Sequence, residues 1–262
     1  MNLQLKDKNI LLTGASGLIG QAIARAFAAE GARLALLARR PTTLAPLCAE
    51  VVAAGAPEPI TIECDLASAA STDAAFASAA QRLGSLDVVV LAAGAAQGGV
   101  FWEIDDAAWQ RNLEAKLFGS IRSLRAALPT MIAQRAGRIV VVAGNSARQP
   151  EPRMLPGAVA NAGLIALVRG LAEELGPHGI AINAVNPGPV RSPRWEQMMQ
   201  AAATRDGISV AAAEAPFIAK SALRRLATAD EVAQHVLFFA SPRAAHLTGT
   251  ALTVDGGSIK SI

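Results

Sequence analysis

The residues best suited to chemistry stand near the start of the chain. Gly14, Gly17 and Gly20 recur at three-residue intervals in Thr13-Gly14-Ala15-Ser16-Gly17-Leu18-Ile19-Gly20, between an apolar run and a helical pattern. In that setting the first glycine permits a tight turn, the second allows backbone to approach a pyrophosphate, and the third lets helix pack on strand. The helix start adds unpaired N–H groups and a positive dipole end, so Ser16, Gly17, Leu18 and Ile19 are expected beside the phosphates. A second candidate is Lys116. It follows Leu113 by three residues, on or beside the apolar stripe of Trp109, Leu113, Leu117, Leu124 and Leu128. A lysine held in a desolvated site has a lowered pKa and exchanges protons near neutral pH. One that reaches outward, or pairs with Glu114 or Glu151, does not. Tyrosine is absent from all 262 residues, so no phenol can serve as the acid. His178, His235 and His246 fall in helix-end or helix-packing contexts, which removes support for a Ser–His hydrolase. Cys48 and Cys64 have no metal-ligand spacing and read as free structural thiols, and no metal site is expected.

The elements that must position these groups follow from patterning. Strand-like runs occupy Asn9–Thr13, Arg33–Ala38, Ile60–Cys64, Leu86–Leu91, Arg138–Val142, Ile180–Val185 and Ala251–Val254, with helical stretches near 18–30, 42–54, 71–83, 105–134, 156–176 and 228–240. The early strands are continuously apolar, as expected when helices cover both faces of a sheet. Alternating strands and helices predict an α/β fold: a Rossmann-type, doubly wound parallel sheet of about seven strands. No linker or internal repeat divides residues 1–262, so a single dinucleotide-binding domain is expected. Residues 191–222 break the rhythm and predict either a helical lid over the substrate side or a surface elaboration. Trp195, Met198, Met199, Phe217 and Ile218 there suggest an apolar substrate pocket, or else the packing of the lid itself.

Composition narrows the partners. With 52% apolar and 17% charged residues the chain is globular, and a net charge of +3 spread over isolated arginines gives no nucleic-acid patch. Glycines interrupt every apolar run before it reaches about 18 residues, and the first residues lack the apolar core of a signal peptide. No membrane association and a cytoplasmic location are therefore expected.

Further motifs carry a resemblance. Asp65-Leu66 follows the third strand, Ala92-Ala93-Gly94 the fourth and Asn186-Pro187-Gly188-Pro189-Val190-Arg191-Ser192 the sixth, while Leu247-Thr248-Gly249 and Val254-Asp255-Gly256-Gly257 close the chain. With the glycine turn, and in this order, they resemble the short-chain dehydrogenases/reductases over essentially the whole chain. The resemblance implies a small-molecule substrate, a homodimer or homotetramer, and a nicotinamide dinucleotide held by Gly14, Ser16, Gly17, Leu18, Ile19 and Gly20. Arg39, Asp65, Leu66, Ala93, Gly94, Pro187, Gly188, Val190 and Ser192 complete the implied cofactor set. Ala38 stands where NAD-binding members carry an acidic residue, and Arg39-Arg40 follow, so NADP(H) is favoured over NAD(H).

The family's proton-handling set is replaced. Its Ser, Tyr, Lys and Asn positions correspond to Gly144, Gly157, Asn161 and Lys116, with Asn145 and Ser146 next to the first. Lys116, Asn161, Asn145 and Ser146 are the candidate catalytic residues. Three functions remain open on sequence: an NADP(H)-dependent oxidoreductase of the carbonyl/alcohol pair with a non-standard proton donor, a nucleotide-binding pseudo-enzyme with a regulatory or structural role, and an enzyme that reuses the fold for chemistry without net hydride transfer.

Overall fold

In the computed structural model, which describes residues 2–94 and 98–260, the glycine turn follows an interior strand of a seven-stranded parallel sheet, at its C-terminal end. The strands are β1 (Asn9–Thr13), β2 (Arg33–Ala38), β3 (Ile60–Glu63), β4 (Val88–Leu91), β5 (Gly137–Val142), β6 (Ile180–Pro187) and β7 (Ala251–Val254), in the order β3-β2-β1-β4-β5-β6-β7. The order reverses between β1 and β4, which opens the crevice where α/β sheets bind ligands. Side chains alternate between two apolar layers. Ile10, Leu12, Val140 and Val142 face one, while Leu11, Ile139 and Val141 face the other.

Helices α1 (Leu18–Ala29), α2 (Ala45–Ala53) and, later in the chain, α9 (Ala229–Ala240) cover the first layer. Helix α3 (Ala69–Leu83), α4 (Asp106–Leu113), α5 (Gly119–Gln134) and α6 (Leu155–Leu175) lie on the second side, with Phe76, Leu124, Leu164 and Val168 buried in it. Helix α6 with its following turn is long and apolar enough to cross a bilayer, yet it sets Leu164, Val168, Ala172 and Leu175 against the sheet. It is a core helix.

The expected helix over 105–134 is interrupted. Between α4 and α5 the residues Glu114–Phe118 form a π-helical turn, with Lys116 at its centre. The extra residue is accommodated by side chains rather than by proline. The Ser120 hydroxyl donates to the Lys116 carbonyl at 2.7 Å, and Gly119 packs against Leu66, whose Cβ would lie 3.0 Å from any Cβ at 119. Such turns recur at functional sites.

Residues 191–222 fold into two helices, α7 (Pro193–Asp206) and α8 (Val210–Lys220). Ser192 and Ser209 cap them, each accepting a backbone N–H three residues on. Trp195, Met199 and Ala203 bury against Ala213, with Phe217 edge-on to Trp195 at 4.9 Å. The Trp195 indole donates to Glu214 at 2.6 Å, and Arg191 pairs with the same carboxylate at 2.9 Å. Trp195, Met199 and Phe217 therefore pack the lid itself, one of the two roles expected of them, and Phe217 also lines a cleft beside it.

Candidate active site

The turn closes by contacts that require glycine at two positions. Gly14 has φ +72°, and a Cβ there would lie 2.6 Å from the Ala92 carbonyl oxygen, so β1 and β4 meet backbone to backbone at the switch point. A Cβ on Gly20 would fall on the Gly14 carbonyl itself. Gly20→Ala is accordingly expected to cost about 3 kcal/mol of stability, measured by denaturant unfolding; an unchanged midpoint would refute the packing role. Gly17 has room to spare, and as N-cap of α1 it leaves the first-turn N–H groups without a side-chain partner. Ser16 and Leu18 are exposed beside it. That is a cradle for an anionic group, and a pyrophosphate fits it.

Arg39 and Arg40 stand exposed just past β2, and neither guanidinium has a hydrogen bond or ion pair among the described residues. Asp65 is exposed beyond β3, its Oδ1 accepting the Ala67 N–H at 3.1 Å, and the Leu66 carbonyl accepts from Arg122 at 3.0 Å. Ala93 and Gly94 lie past β4 beside the glycine turn. Gly188 donates its N–H to Val254 at 3.0 Å, tying the segment Pro187–Ser192 to β7, and Val190 bridges to Ala227. The Ser192 hydroxyl accepts the Trp195 N–H at 3.0 Å, which leaves its own hydrogen to donate.

Lys116 turns inward from the π turn. Its Nζ donates to the Ala143 carbonyl at 2.9 Å, at the C-terminal end of β5. Neither carboxylate that might have drawn it outward does so: Glu114 pairs with Arg122 at 2.6 Å, and Glu151 with Lys220 at 2.9 Å. Burial lowers the lysine pKa from 10.5 to about 8, and the nearby Arg194 charge on α7 pushes the same way. Gly94 makes the room, since a Cβ there would lie 2.8 Å from the Lys116 Cβ and Cγ.

The replacements at 144 and 161 are also coupled. A Cβ at Gly144 would lie 2.6 Å from the Asn161 Nδ2, so the absence of a side chain at one makes space for the other. Asn161, buried on α6, donates from Nδ2 to the Ser146 hydroxyl at 2.9 Å. Its Oδ1 has no protein partner among the described residues; with the amide reversed the stranded atom would be a donor, which is the costlier orphan. In the orientation seen, Ser146 accepts from Asn161 and its hydrogen is free to point outward. Asn145 instead reaches the C-terminal segment, its Nδ2 lying 3.4 Å from Asp255 Oδ2. Burial raises the Asp255 pKa, but hydrogen bonds from Ser258, Ile259, Asn145 and Gly257 outweigh it and hold the carboxyl low.

Sequence reasoning missed three participants. Arg194 sits in the first turn of α7 between Ser192 and Trp195, which had drawn attention for other roles, and nothing local linked it to Lys116. The Ala143 carbonyl is a backbone atom with no sequence signature. Asp255, within the C-terminal motif, gathers Asn145 and the chain end into one hydrogen-bonded knot. A narrow cleft beside it is lined by Asn145, Glu151, Lys220 and Arg225 together with Pro189, Phe217, Leu226 and Ile259, so its wall is mixed and mostly apolar. Cys64 is buried and its thiol is pushed up to about 11 by that burial, so it is inert.

A family model described as enoyl-(acyl carrier protein) reductase matches residues 14–258. The oxidoreductase YvrD of Bacillus subtilis (strain 168) is 32% identical over 268 residues, covering 100% of both chains. The chain belongs to the short-chain dehydrogenase/reductase family. Among solved structures, the L-sorbose reductase of Gluconobacter frateurii, complexed with NADPH and L-sorbose, superposes with a TM-score of 0.94 at 28% identity and covers 100% of each chain. An NAD+-bound xylitol dehydrogenase gives 0.91 at 27% identity, over 97% of this chain and 100% of its own. This short-chain dehydrogenase/reductase is thus an NAD(P)-dependent oxidoreductase of alcohol and carbonyl compounds.

Proposed function

We propose that the protein is an NADP(H)-dependent reductase or dehydrogenase in which Lys116 replaces the missing phenol as proton donor and acceptor. The observation that carries this reading is the Lys116 ammonium: turned inward, paired with no carboxylate among the described residues, and held near a pKa of about 8. The dinucleotide, when bound, supplies or accepts the hydride. The glycine turn and α1 hold its pyrophosphate, Arg39 pairs with a ribose 2′-phosphate, and Asp65 and Leu66 flank the adenine. Ala93, Gly94, Pro187, Gly188, Val190 and Ser192 border the nicotinamide end.

Ser146, with its hydrogen directed away from Asn161, polarises the substrate oxygen. Asn161 positions Ser146, and Asn145 anchors the C-terminal segment through Asp255. In reduction, protonated Lys116 gives its proton to the oxygen of the carbonyl being reduced; in oxidation, neutral Lys116 takes it from the alcohol. Ser146→Ala is expected to lower kcat about 10²-fold with nucleotide affinity unchanged, read by single-turnover oxidation of NADPH. A fall in NADPH affinity instead would assign Ser146 to the cofactor.

The cleft suits a small substrate that carries hydroxyl or carbonyl groups on an apolar frame, since Asn145, Glu151, Lys220 and Arg225 line it beside Pro189, Phe217, Leu226 and Ile259. Helices α7 and α8 serve as its lid, part of the one domain spanning the chain. Exposed Phe101, Trp102, Phe118 and Val159 on the α4–α6 side support a homodimer or homotetramer. The testing experiment is titration with NADPH and NADH, followed by single turnovers on a panel of ketoses and polyols. Tight NADPH binding without turnover on any of them would favour the pseudo-enzyme; no nucleotide binding would contradict both readings.

A further inference from the structure

A groove of about 750 Å³ runs across the N-terminal ends of the strands, where β4, β5 and β6 begin. It is remote from the nucleotide crevice, which lies at the strands' C-terminal ends. Ala136, Ala181, Pro242 and Ala245 present its apolar surface, over buried Leu5 and Ile180. The volume falls within the range of about 300–1,000 Å³ typical of small-molecule sites.

Its polar groups do not balance. Asp87 is committed: Oδ2 accepts the Asn9 N–H at 2.9 Å, and Oδ1 lies 3.5 Å from the Lys8 ammonium. The Thr248 hydroxyl accepts the Ile182 N–H at 3.2 Å. His246 is exposed at the rim. That leaves Arg138, partly buried on the β5 face that carries Val140 and Val142. Its guanidinium makes no hydrogen bond or ion pair among the described residues, and burial alone depresses its pKa. A partly desolvated guanidinium without an acceptor is costly, and its planar fork suits a carboxylate.

We propose that this groove is a second binding site, for a small amphipathic carboxylate whose head group pairs with Arg138 and whose apolar tail lies against Ala181 and Pro242. The occupant is distinct from the substrate and the dinucleotide, because the site shares no residue with the cofactor or catalytic set.

Octanoate is the probe, titrated calorimetrically into the full chain with and without saturating NADPH. The wild type is expected to bind octanoate equally well in both conditions, and the neutral analogue 1-octanol more weakly. Arg138→Met should weaken octanoate about tenfold or more, the loss of charge-assisted hydrogen bonds, with NADPH affinity unchanged. Ala181→Leu fills the groove, leaves every charge in place, and should abolish binding. No octanoate binding by the wild type, displacement of octanoate by NADPH, or undiminished binding to either variant would each overturn the assignment.

Discussion

Lys116→Met is expected to lower turnover by about 10²–10⁴-fold, the usual worth of general acid–base help, while raising thermal stability. Both effects come from the same desolvation. Lysine is charged when protonated, so burial that brings its pKa from 10.5 to about 8 opposes folding at neutral pH. Between those two values the unfolded chain binds more protons than the folded one. Stability therefore increases as pH rises through that window, and the penalty stands in full below it. A shift of this size amounts to at most about 3 kcal/mol, against roughly 1 kcal/mol for the hydrogen bond to Ala143 that methionine forgoes. A methionine of similar length fills the space beside Gly94 without the charge. A melting temperature that falls in the variant would make Lys116 a strut between the π turn and β5 rather than an acid held at a cost. A side chain that destabilises the fold where it serves chemistry is the pattern expected of an active site.

Arg39→Asp is expected to change the NADPH-to-NADH affinity ratio by about 10³-fold. About 3 kcal/mol of charge-assisted hydrogen bonding to a 2′-phosphate is lost, and the new carboxylate accepts from ribose hydroxyls for a gain of about 1.5 kcal/mol. Because Arg39 has no protein partner among the described residues, nothing else in the fold is disturbed, and the melting temperature of the nucleotide-free protein should not move. Affinities for both nucleotides measured by fluorescence titration decide the matter; equal weakening of the two would refute 2′-phosphate recognition. Arg40 sits one residue on and is also exposed, so Arg39→Asp and Arg40→Asp measured side by side show which guanidinium does the pairing.

The fold was legible because its signals are local. Strands β1 and β2 match their apolar runs residue for residue, since each is a short buried segment bounded by turns. Strand β6 runs on to Pro187 because Asn186 and Pro187 pair in register with Thr253 and Val254 of β7, a long-range partnership that no local run reveals. The π turn was illegible for the opposite reason. One added residue shifts the helical stripe by about 100°, and Trp109, Leu113, Leu117, Leu124 and Leu128 fit a single periodicity loosely enough to hide it. The lid helices carried recognisable starts, Ser192-Pro193 and Ser209, but no strand beside them to fix their place. At the site, Gly144 and Asn161 read separately as two losses. In space they are one exchange, in which the glycine clears the volume that the asparagine amide uses to reach Ser146. Lys116 was suspected from its stripe, whereas its acceptor, a carbonyl 27 residues away, lay beyond any sequence pattern.

The pH dependence of single-turnover ketose reduction by NADPH, compared between wild type and Lys116→Met, tests the central claim most directly. With Lys116 as the donor, the wild-type rate is high below pH 8, titrates with an apparent pKa near 8 and falls above it, as the buried ammonium loses its proton. Alcohol oxidation shows the mirror image, and the variant is slow and flat across the range. A variant that reduces the same ketose at the wild-type rate with the same pH profile would contradict the account.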